Sequence, residues 1–260
     1  MKNEYVVLFM IAVIVIIFSL TDARNIFLGS IINRGHDGYY ALDKYGEVYV
    51  AGNAKYRGNL GFNEDFAADL EAVEEGYYIL DKYGKVHAFG RAEFFGEANL
   101  DQNAVDLEVL EDGYYILDSE GRVHEYGFID NYGETVNGKY VDMETTDNGY
   151  YLLKENGQIE IYGGARSFGE YVLEEKAVDL EIVNDGYYVL DSKGNVYTFG
   201  NAKNLGYEEL ENAVDLEPLP GYDGYYVLEC HGNVYSFDAF AGFYSPEYSE
   251  ECKYMDMELV

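Results

Sequence analysis

Ala177-Val178-Asp179-Leu180-Glu181-Ile182-Val183, then Gly186-Tyr187-Tyr188-Val189-Leu190-Asp191, then Gly194-Asn195-Val196-Tyr197-Thr198-Phe199-Gly200, form one copy of a pattern that fills most of this 260-residue chain. The first segment alternates. Val178, Leu180 and Ile182 face one way and Asp179 and Glu181 the other, which is the two-residue period of a strand. Tyr187 to Leu190 is apolar on both faces, as expected of a strand covered on both sides. Asp191-Ser192-Lys193-Gly194 reads as a tight connection, with Asp favoured at its start and Gly supplying a positive φ, and Asn195 to Phe199 is the third strand. Ala202 to Gly206 is expected to add a short, weaker fourth strand before a loop of variable length.

Working outward, Gly-Tyr-Tyr recurs at Gly38, Gly76, Gly113, Gly149, Gly186 and Gly224, with spacings of 38, 37, 36, 37 and 38 residues. A period that regular is a repeat array. In step with this period an Asp-x-Glu element also recurs six times, at Asp69/Glu71, Asp106/Glu108, Asp142/Glu144, Asp179/Glu181, Asp215/Glu217 and Asp256/Glu258. Its phase is offset: the first Gly-Tyr-Tyr has no Asp-x-Glu before it, and Tyr254 to Glu258 stands alone after the sixth unit. An open solenoid gains nothing from that offset, whereas a ring gains closure, because the C-terminal strand completes the first sheet. The expected fold is therefore all-β, a six-bladed β-propeller of ~37-residue repeats closed by the C-terminal strand completing the first blade. Three prolines, 29 glycines and 29 tyrosines suit short strands and turns.

Tyr5 to Leu20 is almost wholly apolar and follows Lys2. Residues 1–23 read as a signal peptide cleaved after Ala23 or as an uncleaved N-terminal membrane anchor, leaving 24–260 as the propeller, outside the cytoplasmic membrane in both cases. The formal net charge is -32, from 49 acidic and 17 basic residues. A nucleic-acid partner is not expected, since its phosphates would be repelled. The same acidity serves solubility or adaptation to salt, or binds cations or a basic partner. Cys230, in the turn after the sixth middle strand, and Cys252, just before the closing strand, fall on one face of a propeller. In an exported protein they are candidates for a disulfide that staples the ring, the alternative being two free thiols.

Gly194 to Ala202 resembles the core of regulator-of-chromosome-condensation repeats, whose units are longer and usually make seven blades. A closer resemblance is to exported prokaryotic β-propeller repeat proteins with Asp-Ile-Glu, Gly-Tyr-x-Leu-Asp and Gly-Val-His-x-Phe-Gly elements. Here Asp69-Leu70-Glu71, Gly76 to Asp81 and Gly84 to Gly90 carry all three. The similarity spans residues 31 to 260; it implies the fold and supplies no catalytic residues.

Asp69, Asp106, Asp142, Asp179, Asp215 and Asp256 lie on the strand expected nearest the central channel and are the candidate binding residues. Such a ring has the oxygen ligands that suit Ca²⁺ or another hard cation, or the charge to hold a basic peptide. Otherwise each carboxylate accepts hydrogen bonds from backbone or tyrosine hydroxyls of the adjacent blade and locks neighbouring repeats. No cofactor is expected beyond Ca²⁺. His87 and His124 occupy equivalent repeat positions, filled elsewhere by Tyr49, Glu160, Tyr197 and Tyr235, which points to packing with a polar tip rather than a shared metal. His36 and His231 sit in turns. No Ser/His/Asp order, metal-binding Cys/His spacing or phosphate-cradling loop is evident. The loops Asn59 to Phe66, Glu97 to Asn103 and Tyr207 to Asn212 differ while the strands repeat, and recognition usually resides in such loops. Phe62, Tyr171 and Tyr207 are aromatics that stack on sugars, fill a partner's pockets or cap blade edges. These features favour a non-enzymatic extracytoplasmic binding scaffold recognising a protein or polysaccharide of the cell envelope. The alternatives are a carbohydrate-active enzyme using channel carboxylates and a purely structural envelope module; the membrane is a partner only through an uncleaved N-terminal segment.

Overall fold

The computed structural model describes residues 38–133, 137–239 and 245–260. The segment 1–23, its cleavage site and His36 lie outside the described residues. Among the described residues no helix is long and apolar enough to cross a membrane. Among the described residues all regular structure is β, in six three-stranded antiparallel sheets. Each is a blade. The inner strands are Tyr254–Leu259, Ala67–Val73, Ala104–Leu110, Tyr140–Thr146, Ala177–Val183 and Ala213–Pro218. The fifth blade, for example, adds Gly186–Asp191 as its middle strand and Val196–Gly200 as its outer strand.

The offset between the two motifs is resolved as expected. Tyr254–Leu259 pairs with Gly38–Asp43, placing Leu259 opposite Tyr39 and Met257 opposite Ala41. The inner strands neighbour one another in ring order, with the closing strand between Ala213–Pro218 and Ala67–Val73. This is a six-bladed β-propeller. The middle strands Gly76–Asp81, Gly113–Asp118 and Gly186–Asp191 are buried at every residue, because sheets cover them on both faces. The core consists of seams between blades. Tyr188, Leu190 and Val196 of the fifth blade pack on Leu216, Tyr225 and Val227 of the sixth. Across the closure, Tyr226 and Leu228 pack on Tyr39, Ala41 and Met257. Burying a side chain such as Leu190 or Leu228 contributes about 1.5–3 kcal/mol relative to exposure.

The fourth strand is a correction. No strand forms over Ala202 to Gly206, and the blades have three strands each. The backbone groups of this segment are engaged elsewhere: the Lys203 carbonyl accepts from the Tyr188 hydroxyl and Ala202 N–H turns back to Phe199. Gly206, at φ 102°, takes the chain out of the β region. Ala202 and Leu205 pack against the seam as plugs.

Candidate functional site

Each inner strand has a register irregularity just before its aspartate, as between Ala104 and Asp106 or between Ala177 and Asp179. Such a bulge re-aims the side chain that follows it. All six aspartates named from the sequence line one cavity of about 320 Å³ at one mouth of the channel. Five of them form an inter-blade clasp. The backbone N–H groups of Leu70, Leu107, Met143, Leu180 and Leu216 donate to Oδ2 of Asp256, Asp69, Asp106, Asp142 and Asp179 respectively, at 2.6 to 3.1 Å. The acceptor in each case is the aspartate of the preceding blade. Of the two partners considered for locking the repeats, backbone rather than tyrosine hydroxyl is used. The sixth aspartate differs: Asp215 is 7% exposed, and its buried Oδ2 has no hydrogen-bond partner among the described residues.

The glutamates of the same strands form a further group of acids, half-buried along the inner strands. Thr145 Oγ1 donates to Glu108 Oε2 at 2.7 Å. Burial pushes Asp179, Asp256 and Glu108 up to about 7. Burial, then the charges of Asp179 and Asp256, hold Asp215 well above the usual carboxylate range. For Asp69 the causes are burial, then Asp256 and Glu108. Two basic residues, Lys82 and Lys176, reach the cavity rim. Both are committed elsewhere, Lys82 to Asp65 and Lys176 to Glu155.

Gly-Tyr-Tyr has a role beyond packing. The first tyrosine of a blade donates its hydroxyl to the loop of the preceding blade: Tyr77 to the Gly58 carbonyl, Tyr114 to Gly96, Tyr187 to Gly169 and Tyr225 to Gly206. The second donates to its own blade's loop, as from Tyr78 to the Glu93 carbonyl at 2.7 Å and from Tyr151 to Arg166 at 2.7 Å. The connecting loops are thus pinned by pairs of hydroxyls. Along them Tyr56, Phe94 and Phe128 stand exposed after the outer strands of three consecutive blades, Phe128 at 95%. Tyr171 and Tyr207 are also exposed, whereas Phe62 packs on Phe66.

His87 and His124 do not meet each other. Each bonds within its own blade, His87 Nε2 to Asp81 Oδ2 at 3.1 Å and His124 Nε2 to Asp118 Oδ2 at 3.4 Å. Tyr49 and Tyr197 reach Asp43 and Asp191 in the same way. These buried aspartates also cap the following turn, as Asp81 Oδ1 does by accepting from the N–H groups of Tyr83 and Lys85. His231, placed in a turn by the sequence, bonds Ser249 O through Nδ1 at 2.9 Å and stacks on Tyr248. Among the described residues, Glu229, Cys230 and His231 are the one group of metal-binding type whose ligand atoms lie within 4.8 Å of one another. Cys230 is nevertheless bridged to Cys252, with Cα atoms 4.7 Å apart.

No protein family and no curated protein matches the chain. Solved structures do. BBS1N in complex with ARL6DN aligns with a TM-score of 0.54 at 10% identity, over 83% of this chain and 78% of that one. The computationally designed Ika8 protein aligns with a TM-score of 0.51 at 10% identity, over 78% and 72%. A loop-replaced KlHsv2 gives 0.50 at 10% identity, over 82% and 79%. At such identity the likeness speaks for the fold alone, and that fold is the β-propeller.

Proposed function

We propose that this chain is a non-enzymatic, extracytoplasmic binding scaffold for a protein or polysaccharide of the cell envelope. The observation that carries this reading is the combination of pinned loops with exposed aromatics at Tyr56, Phe94 and Phe128. Loops fixed before the ligand arrives lose little conformational entropy on binding, and aromatic side chains supply large contact areas with few torsions to freeze. The stacking faces suit sugar rings as well as pockets of a protein. The repeated seams need take no part in binding, because the strands supply rigidity and the loops that differ between units supply the surface.

The test is to screen the full-length chain on envelope polysaccharides and by cross-linking on intact cells, alongside a variant carrying Tyr56→Ser, Phe94→Ser and Phe128→Ser. Retention of a glycan or protein by the parent, weakened at least tenfold in the variant, supports the scaffold. Equal retention by both chains, or product release from a polysaccharide, overturns it.

A further inference from the structure

The channel mouth combines a ring of carboxylates with one buried oxygen that the fold leaves unsatisfied. Five aspartates spend Oδ2 on the next blade's N–H, whereas Asp215, lining the same cavity at 7% exposure, has an Oδ2 with no partner among the described residues. Buried polar atoms are normally satisfied, so an exception beside a cavity lined by six aspartates points to a missing ligand. The lining offers no internal counter-charge, because Lys82 and Lys176 are engaged by Asp65 and Glu155.

We propose that the channel mouth binds a hydrated divalent cation of the Mg²⁺ class, anchored through Asp215. The spacing of the ring decides between a dry and a wet ion. Among the described residues, only Glu229, Cys230 and His231 bring three candidate ligand atoms within 4.8 Å of one another, so the ring carboxylates do not. They stand too far apart to form the close cage of several carboxylates that a dehydrated Ca²⁺ takes, with oxygens at about 2.3–2.6 Å. Mg²⁺ gives up its waters reluctantly, and its water shell can bridge a wider ring. The cavity of about 320 Å³ has room for such a shell, since six waters occupy roughly 180 Å³ at about 30 Å³ each. This site is separate from the aromatic loops and stands independently of the ligand they take.

The experiment is calorimetric titration of chelator-stripped full-length chain with MgCl₂, against NaCl at matched ionic strength. Cobalt(III) hexammine, which cannot exchange its ligands, serves as competitor. Saturable Mg²⁺ binding that the hexammine displaces is the expected result. Asp215→Asn, which loses no hydrogen bond at Oδ2, should fold normally and weaken Mg²⁺ binding at least tenfold, while Glu174→Gln on the exposed surface should leave it unchanged. Heat no greater than that of NaCl, failure of the hexammine to compete, or undiminished binding by Asp215→Asn overturns the proposal.

Discussion

Lys154 donates to Glu160 at 2.5 Å between the middle and outer strands of the fourth blade, in the repeat positions where the second blade holds Asp81 and His87. The acid and its partner have exchanged strands. Tyr140 and Tyr162 hydroxyls also donate to Glu160. Burial pushes the Glu160 carboxyl up, but the hydrogen bonds from Lys154 and the two tyrosines outweigh it and leave it below the usual range. Lys154→Asp alone should therefore destabilise the blade by placing two acids together. Adding Glu160→His should restore part of the loss. A double-mutant cycle by urea unfolding checks this, with an expected coupling of about 0.5–3 kcal/mol; strictly additive losses would show that the two positions do not act as a pair.

The clasps predict opposite behaviour for two aspartates in identical sequence contexts. Asp106→Ala leaves the N–H of Met143 without its acceptor, and Met143 is 1% exposed. Stranding a buried donor costs about 1–3 kcal/mol. Asp215→Ala breaks no bond at Oδ2 and removes one charge from a crowded ring, so in chelator-containing buffer it should be neutral or stabilising. Urea midpoints of the two variants decide, and equal destabilisation would refute the clasp as the source of the difference.

These two aspartates also mark how far the sequence could be read. Ala104 to Glu108 and Ala213 to Glu217 are the same five residues, Ala-Val-Asp-Leu-Glu. The repeat placed both on an inner strand facing the channel, and the offset of Asp-x-Glu against Gly-Tyr-Tyr gave the ring closure that Tyr39 and Leu259 make. Only the assembled ring shows that the joint before the closing strand lacks its clasp. The tyrosine clamps were hidden for another reason: their acceptors are backbone carbonyls, such as that of Gly169, which no side-chain pattern reveals. The Lys154/Glu160 exchange was within reach of repeat comparison. Ala202 and Leu205 misled because apolar side chains that plug a seam resemble those of a strand.

The Cys230–Cys252 bridge spans 22 residues and ties the sixth blade's turn to the chain two residues before the closing strand. Lys253, next in the chain, pairs with Asp43 at 3.5 Å, so the seam has a second attachment to the first blade. Closing a loop of that length restricts the unfolded chain by about 3 kcal/mol on the chain-entropy account. Reduction should lower stability by roughly that amount while the ring stays closed. The check is urea unfolding with and without a thiol reductant, beside a Cys230→Ser and Cys252→Ser double variant. A reduced chain as stable as the oxidised one would remove the bridge from the account of closure.

The acidic channel sets the sign of the pH dependence. Asp179, Asp256 and Glu108 are pushed up to about 7 by burial, whereas in the unfolded chain carboxylates titrate near 4. Between those limits the folded chain holds more protons than the unfolded chain, so its stability must fall as pH rises through that window. Groups such as Asp118 act oppositely. Burial raises its carboxyl, but the hydrogen bond to His124 and those from the turn N–H groups of Arg122 and Glu120 bring it below the usual range, and its contribution is lost only at more acid pH. The expected optimum is therefore mildly acid. In chelator-containing buffer at fixed ionic strength, the chain should be more stable at pH 5 than at pH 7.5 by at least about 1.4 kcal/mol, the value of a tenfold change in one proton-binding constant. Greater stability at pH 7.5 would mean that the channel carboxylates are ionised in the folded chain without cost, and that their crowding is relieved by solvent.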